Sequence, residues 1–244
     1  MTLTFLHLPK TGGTSVDVEI SRILSDNSLS KLSIHRENIN KIKNNHESFF
    51  EGFDYIHIHA CGYTGGTRLS FFLENNRANN FTILRYPADH IMSLWRHSLQ
   101  ISPQILPRNE SLPAFHQRFK SLESLIHLVS PNGYLDYDHA LFGEYFGLKR
   151  LFAGQMADLQ VSMGCGAESV LSMTNYFLLE DPDLSAKLKL LLENNFFLKT
   201  DFQINHLNKT RAIKNCSLSH QSLKCLSVLH RDLKQYLKIA RSLD

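Results

Sequence analysis

Phe5-Leu6-His7-Leu8-Pro9-Lys10-Thr11-Gly12-Gly13-Thr14-Ser15-Val16 joins a short β-prone run to an amphipathic helix through a turn rich in glycine and hydroxyl groups. Residues 2–8 are mostly apolar and stop at Pro9, which suits a buried strand. Beyond the glycines, Val16, Ile20, Ile23 and Leu24 recur at i, i+4, i+7 and i+8, the apolar stripe of one helix face. The alternation continues outward. Residues 32–34 and 53–60 read as strands, the second with Asp54 at its mouth, 67–75 as a helix and 81–84 as another strand. Pro87 is suited to the first position of a helix carrying Ile91, Leu94, Trp95 and Leu99. Residues 176–179 form the last expected strand, after which Asp181-Pro182 caps a helix with Leu184, Leu188, Leu191 and Leu192. A final helix carries Leu226, Leu229, Leu233, Tyr236, Leu237 and Ala240.

Strand alternating with helix at this spacing predicts an α/β fold around a central parallel sheet of about five strands. Prolines at 103, 107, 113 and 131 break up residues 101–166, which are expected to form a helical and loop insertion within a single domain spanning 1–244. Tyr134, Tyr137 and Tyr145 fall in that insertion, as platform or as core.

The chain has 244 residues, 43% of them hydrophobic and 20% charged, which excludes collagen-like, low-complexity and disordered classes. Its 26 basic and 23 acidic residues leave a formal charge of +3. So weak an overall field implies neither a nucleic acid nor an anionic membrane as partner, and leaves room for a local anion site. No apolar run is long enough to cross a bilayer, and residues 1–9 lack a basic segment followed by an apolar signal core. A cytoplasmic protein is expected, unless a membrane anchor upstream has been removed. The four cysteines, Cys61, Cys165, Cys216 and Cys225, are widely spaced, which suits reduced structural thiols and suggests neither zinc nor disulfides. No oligomerisation signal is visible.

The turn at 9–15 is the segment richest in chemistry. Paired glycines let successive N–H groups point inward, the helix N-terminus adds a positive dipole end, and Thr and Ser add donors, the makings of a phosphate or sulfate cradle. Lys10 precedes the glycines instead of following them, so the nucleotide-triphosphate motif G-x-x-x-x-G-K-[ST] is not matched. The alternative is an ordinary Gly-rich turn with a solvated lysine and Thr14 as N-cap. A second segment, Phe81-Thr82-Ile83-Leu84-Arg85-Tyr86-Pro87, is a strand ending in arginine, with Ser93 eight residues later. Arg85 at a strand's carboxyl end would share the sheet edge at which open α/β sheets bind ligands, and a guanidinium fork with a hydroxyl suits a second phosphate. Pairing with a carboxylate such as Asp89 is the alternative.

Together these segments resemble the sulfotransferases that use 3′-phosphoadenosine 5′-phosphosulfate (PAPS), most closely the branch of the heparan and uronyl 2-O-sulfotransferases and their bacterial relatives. The resemblance implies a P-loop-like three-layer sandwich. It implies that Lys10 contacts the bridging oxygen of the donor, that Thr11, Gly12, Gly13, Thr14 and Ser15 cradle the 5′-phosphate, and that Arg85 and Ser93 hold the 3′-phosphate. Tyr55-Ile56-His57-Ile58-His59-Ala60 is similar to the strand ending H-x-H in that branch, whose histidines serve catalysis. Strand alternation puts His57 and His59 on one face, with His59 nearer the carboxyl end and so the better candidate base. His206-Leu207-Asn208-Lys209-Thr210 resembles the late loop H-L-x-K-[ST] that closes over the nucleotide, with Asn208 and Thr210 as candidate contacts.

Two departures bear on the acceptor side. Tyr86 stands where Asp or Asn is common, and residues 146–154 keep only the R-x-x-x-G part of a longer family segment. The expected reaction is sulfuryl transfer from PAPS to a hydroxyl of a carbohydrate or small hydroxylated metabolite, with no metal. The alternatives are a non-catalytic nucleotide-binding relative and a nucleotide kinase or NTPase of similar fold.

Overall fold

The structure is a computed structural model, described here over residues 2–7, 11–34, 50–59, 75–85, 89, 93 and 175–204. Its backbone divides into two compact units. The first comprises Met1–Arg85, Asp158–Asn208 and Ile239–Asp244, and the second Tyr86–Ala157 and Lys209–Lys238. Every described residue but Asp89 and Ser93 belongs to the first.

That unit is built on five parallel strands: β1 (Leu3–His7), β2 (Lys31–Ile34), β3 (Tyr55–His59), β4 (Asn80–Leu84) and β5 (Asn175–Leu178). Their order is β2-β3-β1-β4-β5, so the first strand lies at the centre. Helix α1 (Gly13–Asp26) follows β1 and helix α2 (Leu184–Phe196) follows β5. The α/β class and the five-stranded parallel sheet expected from the alternation are thus present.

Both faces of the sheet are buried, as a parallel sheet requires. On one face Leu3, Phe5, Tyr55, Phe81 and Ile83 pack with Val16, Ile20, Ile23 and Leu24 of α1 and Leu184, Leu188 and Leu192 of α2. The apolar stripe read along 16–24 is therefore the buried face of α1. Phe5 and Phe81 stack across β1 and β4 with ring centroids 4.6 Å apart. On the opposite face Leu6, Ile56, Ile58 and Leu84 are buried beside Thr4 and Thr82. Thr82 donates from Oγ1 to the Leu6 carbonyl at 2.7 Å, so that burial of its hydroxyl is compensated.

The helix after Asp181-Pro182 is also as expected, with its cap arranged differently in detail. Asp183 is the N-cap residue and supplies no side-chain bond. Asp181 instead accepts the Asp183 amide at 2.9 Å and pairs with Lys187. Lys187 and then the Asp183 amide hold the Asp181 carboxyl below the usual carboxylate range.

The insertion at 101–166, the segment 146–154 and the C-terminal helix lie outside the described residues, as do the helix at 67–75 except Asn75 and the helix after Pro87 except Asp89 and Ser93. Among the described residues no helix is long and apolar enough to cross a membrane.

The strand order fixes where a ligand site belongs. The chain leaves β1 toward β2 on one side of the sheet and leaves β4 toward β5 on the other, although β1 and β4 are neighbours. Connections diverging from adjacent strands open a crevice at their carboxyl ends, which is the usual binding position in open α/β sheets.

Candidate functional site at the carboxyl edge of the sheet

The turn after β1 enters this crevice. Gly12 is the N-cap of α1, in the left-handed conformation at φ 79° and ψ 1°. Its carbonyl accepts the amides of Ser15 and Val16 at 3.1 and 3.5 Å. Gly12 brings no side-chain cap and no acidic residue lies in the first turn of the helix, so no carboxylate in that turn offsets the positive end of the dipole. Thr14 is not the N-cap. The left-handed backbone at Gly12 starts the helix earlier, and Thr14 sits exposed inside the first turn. Thr11 and Ser15 are both buried. Lys10 lies outside the described residues.

Gly12 is also required by its neighbour: a Cβ there would meet Leu179 Cδ1 at 2.7 Å. Leu179 continues β5, its amide donating to the Leu84 carbonyl at 2.8 Å. The next residue on each strand then stands beside its counterpart, and Arg85 Nε donates to Glu180 Oε1 at 3.3 Å. Two consecutive residues, Leu179 and Glu180, thereby fasten the first turn and Arg85 to one edge. Pairing of Arg85 with a carboxylate, the alternative considered from sequence, is therefore what the structure shows, through Glu180 and not Asp89, which is exposed and belongs to the second unit. Arg85 and Glu180 side chains are 25% and 23% exposed, so the pair is reachable from solvent and oriented by the sheet. Ser93 is helical and half-buried in the second unit, and Asn208 and Thr210 lie outside the described residues.

Beside the turn stands a histidine cluster. Strands β1 and β3 pair Phe5 with His57 and His7 with His59, which puts His7, His57 and His59 on one face. His7 Nδ1 and His57 Nε2 are 2.9 Å apart, a hydrogen bond in which one ring donates and the other accepts. His59 meets the His7 ring edge-on, with centroids 4.6 Å apart, and lies 6.4 Å from His57. His7 and His57 are 4% and 3% exposed, while His59 is half-buried.

Behind His57, its Nδ1 lies 3.5 Å from Asp17 Oδ2, an electrostatic contact. Both oxygens of Asp17 accept from Lys31 Nζ at 2.8 Å, and Oδ1 accepts from the Tyr55 hydroxyl at 3.2 Å. Burial and then the Asp17 charge push the Tyr55 hydroxyl well above the usual phenol range, so it remains a donor. Among the described residues no group of three His, Cys, Asp or Glu side chains is arranged to hold a metal ion.

Reasoning from sequence named His57, His59 and Arg85 as candidates; the structure sets His7, Asp17 and Glu180 against them, none of which had been given a role. His7 carried a usable signal, because it alternates with Phe5 and immediately precedes the glycine turn by the same logic that singled out His59. Asp54, which had no assigned role, is structural: its Oδ2 accepts the amide and hydroxyl of Ser30, each at 2.8 Å.

No protein-family model matches the chain, and no curated protein matches it.

Proposed function

We propose that the protein is a PAPS-dependent sulfotransferase acting on a hydroxyl acceptor, a carbohydrate or a small hydroxylated metabolite. The observation that carries this reading is that the α1 turn and Arg85 share one sheet edge, where Leu179 lies against Gly12 and Glu180 pairs with Arg85, with a half-buried His59 at the end of β3. Two anion-binding elements on neighbouring strands suit a nucleotide with phosphates at two positions, and PAPS has its 5′-phosphosulfate and its 3′-phosphate. The strand order, with β1 central and flanked by β3 and β4, fits the P-loop-like sandwich expected of such enzymes.

In this reading the backbone of Gly12 to Ser15 binds the 5′-phosphosulfate, and Arg85 exchanges Glu180 for the 3′-phosphate. Asn208 adds a contact to the nucleotide. The acceptor oxygen attacks sulfur in line, the bond from sulfur to the 5′-phosphate oxygen breaks, and His59 takes the acceptor's proton. Lys10 compensates the charge left on the departing 3′-phosphoadenosine 5′-phosphate, a stabilisation of about 3 kcal/mol in comparable oxyanion sites.

Release of 3′-phosphoadenosine 5′-phosphate from PAPS, measured against a panel of polysaccharides and small alcohols, tests the proposal. Acceptor-dependent release supports it. Nucleotide binding without release to any acceptor points to a non-catalytic relative, and magnesium-dependent ATP hydrolysis instead points to an NTPase.

A further inference from the structure

The contacts of Asp17, His57 and His7 specify more than proximity. The hydrogen bond between His7 Nδ1 and His57 Nε2 has a single proton, and its ends decide which ring owns it. At one end His57 Nδ1 lies 3.5 Å from Asp17 Oδ2, too poorly aligned for a hydrogen bond, and the carboxylate charge favours an N–H over a lone pair at that nitrogen, so His57 carries its proton on Nδ1. Lys31 already compensates the Asp17 charge at 2.8 Å, leaving little to stabilise a second cation in a ring only 3% exposed. Neutral His57 therefore offers Nε2 as acceptor, and His7 donates from Nδ1. At the other end the Nε2 side of His7 lies against Gly13, where a Cβ would stand 2.5 Å from that nitrogen. Gly13 opens α1, so the ring of His7 also braces the start of that helix. The Asp17 end thus selects the pair of tautomers.

We propose that Asp17, His57 and His7 form a tautomer-fixing relay in which His7 is a positioning residue, holding His59 by its ring edge and bracing the turn at Gly13. His57 then acts through His7, as a positioning residue rather than as a base. The catalytic consequence rests on the sulfotransferase reading; the tautomers do not. Lys31, Ser21 and Tyr55 complete the assembly by fixing Asp17 and its cation: Lys31 Nζ also lies 2.7 Å from Ser21 Oγ. Among the described residues, the charged and titratable groups facing the relay include Asp17, Lys31, Tyr55 and His59.

The test is long-range proton–nitrogen correlation spectroscopy of the histidine-labelled full chain, with His7 and His57 assigned from His7→Gln and His57→Gln spectra. Both rings are expected as Nδ1–H tautomers, the minority form in water. In Asp17→Asn, nearly isosteric with the native side chain, His57 loses that preference and His7 follows. Affinity for 3′-phosphoadenosine 5′-phosphate stays within about twofold, and kcat falls about a hundredfold with an altered pH profile, the scale expected of a misplaced base. An Nε2–H tautomer at either ring of the native protein would overturn the relay whatever the chain catalyses. An active Asp17→Asn protein with native kcat and pH profile would overturn the positioning role. If the native protein transfers nothing yet shows both Nδ1–H rings, the relay stands and the functional reading fails.

Discussion

A Cβ placed on Gly13 would stand 2.1 Å from Cδ2 of His7, so the end of β1 and the start of α1 approach this closely only because residue 13 has no side chain. The ring cannot swing away freely, since it is bonded to His57 and stacked on Phe5 with centroids 5.4 Å apart. Gly13→Ala is therefore expected to cost about 1–3 kcal/mol in urea unfolding, the range for overpacking a filled site. It should also weaken binding of 3′-phosphoadenosine 5′-phosphate, because the displaced ring carries the turn with it. Native stability together with native affinity would contradict the close approach.

Arg85 separates two ligands. If its guanidinium holds the 3′-phosphate, Arg85→Ala weakens binding of 3′-phosphoadenosine 5′-phosphate by about a hundredfold, the worth of a charge-assisted pair. Adenosine 5′-phosphosulfate, which lacks that phosphate, should lose no more than about twofold. Equal losses by calorimetry would remove the assigned role.

His59→Ala is expected to leave nucleotide affinity unchanged and to lower transfer by about 10²–10⁴, the usual contribution of a positioned base. Undiminished transfer would show that another group takes the proton.

Asp54 governs acid stability without touching the site. The Ser30 amide and then its hydroxyl hold the Asp54 carboxyl below the usual carboxylate range. A carboxyl whose folded pKa is depressed contributes stability above its unfolded value, near about 3.9, and loses it as pH falls through the lower folded value. Asp54→Asn should then cost about 1–2 kcal/mol at neutral pH, and the difference from the native protein should shrink below about pH 4. Urea unfolding at neutral and acid pH measures both.

Much of the fold was legible because local pattern and tertiary burial agree along α1 and the strands. Val16, Ile20, Ile23 and Leu24 are all buried, and the run at 2–8 yields β1 at Leu3–His7. The candidate site was legible only at strand ends, as for His59 and Arg85, which the structure places at the carboxyl ends of β3 and β4. The pairings among site residues were not. His7 meets His57 through a register set across a separation of 50 residues, and Asp17 reaches β2 and β3 from a helix face whose apolar stripe says nothing of its polar neighbours. Glu180 pairs with Arg85 because β4 and β5 are adjacent, a fact of topology carried by no local motif.

The most direct measurement is calorimetric titration of the full chain with 3′-phosphoadenosine 5′-phosphate, beside ATP with magnesium. The account predicts tight binding of the first and none of the second, because the two anion sites it proposes, at the α1 turn and at Arg85, match phosphates at the 5′ and 3′ positions. Failure to bind 3′-phosphoadenosine 5′-phosphate, or preferential binding of ATP with magnesium, would contradict it.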